Sequence, residues 1–188
     1  MSITRLVRQR GISLIELIIF IVVIGVAVVG VLLAFSMSTR ASADPMIQKQ
    51  ALAIAEALLE EIQLQPFTYC DPDDPVAATA LVVGDCATPE VIGVEGGESR
   101  TAIPLFDNVS DYNGVTLNPV TDINGTALGL DAYIATIAVA TQGIGAIGII
   151  PAISAAEALL ITVTVTGPGS TTVVLHGYRV RYAPNALP

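Results

Sequence analysis

Histidine, cysteine and basic residues are scarce in this chain, and each shortage excludes a class of function. The 188 residues include one histidine, two cysteines, and 8 lysines and arginines against 17 aspartates and glutamates, which gives a formal net charge of −9. His176 is far in sequence from both thiols, so these three side chains make a poor zinc cage, and no nucleophile lies near it to form a catalytic triad. The acidic balance argues against nucleic-acid binding through a basic patch. We therefore expect a protein that is not an enzyme, with no cofactor, no metal site and no nucleic-acid partner.

Charge is missing altogether from one long apolar segment near the N-terminus. No charged residue lies between Glu16 and Arg40, and the segment meets the requirement of roughly 20 apolar residues for a membrane-spanning helix. Three arginines precede Glu16, and positive residues remain on the cytoplasmic side of a membrane. The pattern predicts a single-pass inner-membrane protein with a cytoplasmic N-terminus and with residues 40–188 exported to the periplasm.

Other interpretations of this segment stay open. A secretory signal ends in a small-residue cleavage site, and Ala41-Ser42-Ala43 has that form. Such signals have apolar regions of roughly 7–15 residues, however, which is shorter than the segment found here. A core helix of a soluble protein is a further alternative. If cleavage occurs at Gly11 instead, the span remains in the mature protein.

The period of the apolar residues changes along the exported part. Residues 46–64 have apolar side chains spaced by three or four, which predicts an amphipathic helix that packs by one face and ends near Pro66. At Pro45 either one long helix kinks or two helices abut. Beyond it we expect a loop-rich region and then strands that alternate apolar and polar residues. The predicted strands are 80–83, 91–94, 131–140, 160–166 and 172–182, the last two joined as a hairpin through 167–170. The pattern predicts an α+β protein, with a long N-terminal helix whose C-terminal half lies on a small antiparallel sheet.

The two cysteines, Cys70 and Cys86, both lie on the predicted exported side. A cysteine pair in an oxidising compartment predicts a disulfide. It closes a loop of about 17 residues and stabilises the fold by about 3 kcal/mol in the chain-entropy description.

Two further patterns have weaker functional interpretations. Gly143–Gly148 matches G-x-G-x-x-G, but Pro151 interrupts the helix that a dinucleotide site needs, so we expect a glycine loop. Calcium favours clusters of carboxylate oxygens, yet solvated turns are the preferred interpretation of the acidic residues in the loops. These residues are Asp71, Asp73, Asp74, Asp85, Asp107, Asp111 and Asp122.

The N-terminal residues resemble the type IV prepilin signal. In that motif a basic leader ends in Gly, a hydrophobic residue follows, and Glu is the fifth mature residue before an apolar helix. Gly11, Ile12 and Glu16 occupy these positions, with Ile12 standing where Phe is usual. Further stretches resemble minor pilins of mannose-sensitive haemagglutinin (MSHA) pili; these are residues 43–56, 70–73, 106–114 and 177–185.

The resemblance implies a type IV pilin-like fold and a division of the chain into four segments. These are a leader peptide (1–11), a transmembrane assembly helix (12–40), an amphipathic helix (41–66) and an exported β-rich domain with a disulfide loop (67–188). It also implies cleavage after Gly11 by a prepilin peptidase, N-methylation of Ile12, and incorporation into a pilus at the cell surface. The implied partners are the peptidase, other major and minor pilins, and an inner-membrane assembly platform.

Both this resemblance and the energetic cost of placing a carboxylate in the membrane indicate a function for Glu16. A carboxylate just inside a spanning helix is costly without a partner. We hypothesise that Glu16 pairs with the new amine of Ile12 in a neighbouring subunit; snorkelling to the cytoplasmic interface is the alternative. Two other functions remain open: a pseudopilin of a type II secretion system, and a periplasmic binding or adhesion module with no role in assembly.

Overall fold

The computed structural model describes residues 13–146 and 151–187, and for residues 38–44 it describes only the backbone. The helix α1 runs from Leu14 to Leu64. The strands are β1 (Thr116–Leu117), β2 (Ile134–Thr141), β3 (Ala158–Gly167) and β4 (Thr171–Val180). They form one antiparallel sheet in the order β1-β2-β3-β4. The predicted α+β class, with an N-terminal apolar helix and a small antiparallel sheet, is confirmed.

The chain divides into two compact units, Met1–Pro45 and Met46–Pro188. The first contains the apolar stretch Leu14–Met37, 24 residues with a mean hydropathy of 3.3, none of which is buried within the chain. At about 1.5 Å per residue this stretch is about 36 Å long, sufficient to cross a bilayer. The helix assignment continues through Pro45.

In the second unit the helix packs onto the sheet through the predicted apolar face. Ala51, Ile54, Leu58 and Ile62 are buried and Ile47 is partly buried, in agreement with their spacing of three or four. The helix and β4 approach closely at Gly177, where an added Cβ atom would lie 2.8 Å from Leu59 Cδ1. The inward side chains of the two central strands complete the core: Ala135, Ile137 and Val139 from β2, and Leu159, Ile161, Val163 and Val165 from β3.

The hairpin between β3 and β4 is confirmed. Thr166 pairs with Thr172 across it, and Gly169 has φ 65° in the connecting turn. The left-handed conformation favours glycine, which explains why this turn can be so short. The predicted alternation is also confirmed, because the threonines of 162–166 face away from the buried Ile161, Val163 and Val165.

Two predicted strands in the loop region, 80–83 and 91–94, are wrong. Val83–Asp85 is instead a 3₁₀ turn, and Asp85 Oδ2 accepts hydrogen bonds from the backbone N–H of Leu81 and Val82. At Val91 the backbone N–H donates to Glu95 Oε2. Acidic side chains therefore take the backbone donors that strand pairing needs, and local turn chemistry outweighs β-propensity.

Candidate functional site

Glu16 lies in the first turn of α1, at the start of the uncovered apolar stretch. Its side chain is exposed, as are its apolar neighbours along the helix. A negative charge in the first turn interacts favourably with the positive end of the helix dipole. An apolar helix whose described side chains are exposed is stabilised by lipid or by other apolar helices around it. This helix is long and apolar enough to serve as a single-pass membrane anchor.

Two of the residues expected at the processing site, Gly11 and Ile12, lie outside the described residues. Their proposed cleavage and N-methylation therefore remain expectations from the sequence motif.

The disulfide between Cys70 and Cys86 is present, with a Cα–Cα distance of 5.4 Å, as predicted. Beside it, the N–H of Asp71 donates to Thr88 O and the N–H of Glu90 donates to Tyr69 O, so the two ends of the loop run side by side. The C-terminal segment holds the loop from the other side, because Asn185 Nδ2 donates to the carbonyl oxygens of Ala77 and Ala80. The disulfide loop is thus fixed to the second unit rather than free.

A second polar cluster holds the helix to the loops. The Arg100 guanidinium donates two parallel hydrogen bonds of 2.7 Å to the Glu61 carboxylate. Tyr112 donates its hydroxyl to the same carboxylate, and Arg100 Nη1 donates to Asp122 O. The side chains of Arg100 and Glu61 are only 6% and 15% exposed. Planar bidentate pairing of this kind is geometrically specific, so the cluster fixes the position of the Arg100 loop on the helix.

Seven carboxylates converge next to the disulfide loop, and we call them the acidic patch. They form two groups in which one oxygen from each member lies within 4.8 Å of one from every other member. The first group is Asp71, Asp73, Glu98 and Asp107, and the second is Glu90, Glu95 and Asp111.

Backbone pairing between loops brings these side chains together. The N–H of Phe106 donates to Ser99 O, which places Glu98 beside Asp107. The N–H of Gly93 donates to Ser110 O, which draws the loop carrying Glu90 and Glu95 to Asp111. Asp111 Oδ2 joins the two groups by accepting hydrogen bonds from the N–H groups of Asp107 and Asn108.

Within the patch, burial raises the pKa values of Glu90, Glu95, Glu98, Asp107 and Asp111. Desolvation is the main cause of the increase for Glu90, whose pKa rises to about 9, for Glu98, to about 8, and for Asp107, to about 7. Repulsion from neighbouring carboxylates, chiefly Asp111, adds to each increase. The pKa of Asp111 itself rises to about 6, because desolvation outweighs the hydrogen bonds that it accepts from Asn108 and Asp107. The chain therefore concentrates like charge where water is partly excluded.

Only some of these carboxylates stand out in the sequence. Asp71, Asp73, Asp107 and Asp111 belong to the acidic loop residues weighed for calcium, and the structure brings them together. The other acidic residues of that set stand apart from both groups: Asp74, Asp85 and Asp122 each accept backbone hydrogen bonds within their own turns. The three glutamates at 90, 95 and 98 were missed. Their one available signal was their occurrence in a single glycine-containing loop between two aspartate-rich segments.

Three other features have plain structural explanations. His176 lies on the exposed face of β4 with Val174 and Tyr178, and its Nδ1 is 3.1 Å from Thr162 Oγ1. Asn108 is fully buried and donates to Thr68 Oγ1, so its role is structural. After the glycine motif, Ala155–Glu157 forms a 3₁₀ turn that is followed at once by β3.

Comparisons with known proteins give no further guide to the function of either the helix or the patch. The chain matches no family model, no curated protein and no solved structure.

Proposed function

We propose that this chain is a minor pilin of a type IV pilus of the MSHA kind, similar to its D-type minor pilin. In this proposal a prepilin peptidase removes residues 1–11, the apolar helix holds the subunit in the inner membrane, and the subunit is then built into a surface filament. The observation that carries the proposal is Glu16 in the first turn of an apolar helix of 24 uncovered residues. The resemblance of the preceding residues to a prepilin signal gives this carboxylate its role.

The helix supports lateral assembly by its composition. Its valine, leucine and isoleucine side chains are exposed in the described part of the chain, so they are available to lipid before assembly and to neighbouring helices afterwards. Neither Gly25 nor Gly30 has a non-neighbouring atom within 4 Å of the position that a Cβ would take. Small residues on a spanning helix allow another helix to approach closely.

Glu16 sets the register of that assembly. An acidic residue at the centre of a membrane helix costs roughly 2.5–3.5 kcal/mol on insertion scales, and less near the interface. Cleavage after Gly11 creates a positively charged amine at Ile12, which carries a cost of the same kind. Pairing the Glu16 carboxylate of one subunit with the Ile12 amine of its neighbour compensates both charges. A subunit displaced along the filament axis loses that pair, so the aligned position is favoured.

The test is the incorporation of Glu16 variants into sheared filaments. We expect Glu16→Ala and Glu16→Gln to be exported to the membrane normally and to be at least tenfold depleted from filaments, because both remove the charge. Glu56→Gln is the matched control, since it removes an exposed carboxylate from the same helix outside the apolar stretch. Normal incorporation of both Glu16 variants would refute the assembly role.

The same preparation separates the alternative functions. N-terminal sequencing that finds Ile12 as the first residue supports processing by the peptidase, whereas an intact Met1 favours a membrane-anchored binding module. A strain that lacks the chain loses piliation if the chain is a minor pilin, and loses protein secretion if it is a pseudopilin.

A further inference from the structure

The first group of the acidic patch has the chemistry of a cation site. We propose that Asp71, Asp73, Glu98 and Asp107 bind one Ca²⁺ ion, which ties the disulfide loop to the two loops that carry Glu98 and Asp107. This inference stands on the second unit alone and is independent of the proposed role in a pilus.

The spacing of the oxygens fits this ion. Calcium binds oxygen ligands at 2.3–2.6 Å, so two ligands on opposite sides of it are about 4.6–5.2 Å apart and adjacent ligands are closer. One oxygen from each of the four carboxylates lies within 4.8 Å of the others. The four side chains can therefore share one calcium ion with small rotations, and backbone oxygens or water can complete the six to eight ligands.

Glu98 provides an independent indication of a missing ligand. This residue is only 9% exposed, and its Oε2 atom is buried without a hydrogen-bond partner among the described residues. A buried carboxylate oxygen without a donor loses its hydration without compensation. A cation among the four carboxylates supplies that compensation to Glu98 and to its three neighbours at once.

The charges around the four carboxylates also favour binding of a cation. Within the described part of the chain, neither of the two ion pairs includes a member of the acidic patch. Arg181 acts electrostatically on Glu90 in the second group, and it is itself engaged with Glu157 and stacked on Phe67. A divalent cation relieves the mutual repulsion of the four carboxylates.

The type of ligand selects among cations. All four side chains offer hard carboxylate oxygens, which suit Ca²⁺, Mg²⁺ and Mn²⁺ and not the softer metals. Magnesium requires near-ideal octahedral geometry at about 2.0–2.1 Å and gives up its water reluctantly. Calcium accepts irregular coordination geometry, so side chains from three separate loops can bind it more readily than they can bind magnesium. Asp73 is exposed, so the site is open to solvent on one side.

The experiment is calcium titration of the full-length chain in detergent micelles, with the disulfide intact, followed by calorimetry at pH 7.5. We expect one saturable site with a Kd of about 1 mM or below, the range of extracellular calcium modules, and at least tenfold weaker binding of Mg²⁺. We also expect Ca²⁺ to raise the temperature of unfolding, because the ion binds the folded state.

Two variants test the ligands, and one variant is the control. Asp73→Asn alters an exposed ligand, and Glu98→Gln alters the buried one; each is expected to weaken calcium binding at least tenfold. Glu98→Gln is expected at the same time to keep or raise stability without calcium, which separates loss of a ligand from failure to fold. Asp131→Asn removes an exposed carboxylate far from both groups in sequence and is expected to change the Kd less than twofold.

Three results overturn the proposal. They are the absence of saturable binding up to 10 mM Ca²⁺, unchanged affinity in both ligand variants, and an equal loss of affinity in Asp131→Asn. If Glu98→Gln does not fold, the exposed Asp73→Asn variant decides between the outcomes.

Discussion

The stability of the second unit, Met46–Pro188, without divalent cations is expected to fall as the pH rises from 6 to 7.5. Burial raises the pKa of Glu98 from 4.5 to about 8 and that of Asp107 from 3.8 to about 7 in the folded state. Between the unfolded and the folded pKa the folded chain binds more protons than the unfolded chain. Stability therefore decreases with increasing pH in this window, because the folded state holds more protons than the unfolded state and a rising pH disfavours the state that holds them.

The magnitude follows from the number of protons held. One extra proton bound by the folded state lowers the free energy of unfolding by about 1.4 kcal/mol for each pH unit, or about 2 kcal/mol from pH 6 to 7.5. We count one proton shared by Glu98 and Asp107, because these carboxylates repel one another and cannot be treated as independent. Glu90, whose pKa rises to about 9, adds to the decrease in the same direction. For a unit of this size the change corresponds to about 4–8 °C in Tm.

The assay is thermal unfolding of the full-length chain in EDTA, followed by the near-ultraviolet circular dichroism of its tyrosines. We expect Glu98→Gln to reduce the decrease between pH 6 and 7.5, and Asp131→Asn to leave it unchanged. Saturating Ca²⁺ is expected to abolish or reverse the decrease, because the metal binds the deprotonated carboxylates. A Tm that rises with pH over this range in EDTA would refute the assignment of raised pKa values to the patch. The window stays above pH 5.5 because Asp74 and Asp122, whose pKa values are lowered by backbone hydrogen bonds, stop contributing only in stronger acid.

Two further predictions concern the fold itself. Arg100→Ala is expected to cost about 3–5 kcal/mol in urea unfolding, because it leaves the Glu61 carboxylate buried and without its bidentate partner; replacing both residues with methionine is expected to cost less than Arg100→Ala alone. Gly167→Ala is expected to cost about 1–3 kcal/mol, because the new Cβ would lie 2.6 Å from the packed ring of Tyr133. Gly145→Ala, where a Cβ meets nothing within 4 Å, is the control and is expected to be nearly neutral.

The helix and the hairpin could be predicted because their signals are local. The apolar stripe that includes Leu58 and Ile62 recurs with the helical period, and the alternation in 161–166 recurs with the strand period. Each is a property of a short segment and needs no knowledge of the rest of the chain. The disulfide was equally accessible, because two cysteines allow only one pairing within the chain.

The loop region could not be predicted in the same way, because its contacts join residues that are distant in sequence. Glu61 and Arg100 are 39 residues apart, and neither stands out in its own segment. Strand propensity at 80–83 was also misleading, since Asp85 binds the backbone groups that a partner strand needs. The acidic patch depends on three such loops, so its aspartates could be noticed individually while their convergence with Glu98 could not.

The exposed apolar helix and the acidic patch have one property in common: each places side chains in an environment that disfavours them. The helix exposes apolar side chains that water solvates poorly, and the patch gathers carboxylates that repel one another with water partly excluded. Among the described residues neither ion pair includes a carboxylate of the patch, and the apolar side chains of the helix are exposed, so each arrangement gains from a component outside the chain. In our two proposals that component is lipid and then neighbouring subunits for the helix, and a divalent cation for the patch. Because the two units are compact separately, the two requirements can be tested separately: Glu16 variants should leave calcium binding unchanged, and Asp73→Asn should leave membrane insertion unchanged.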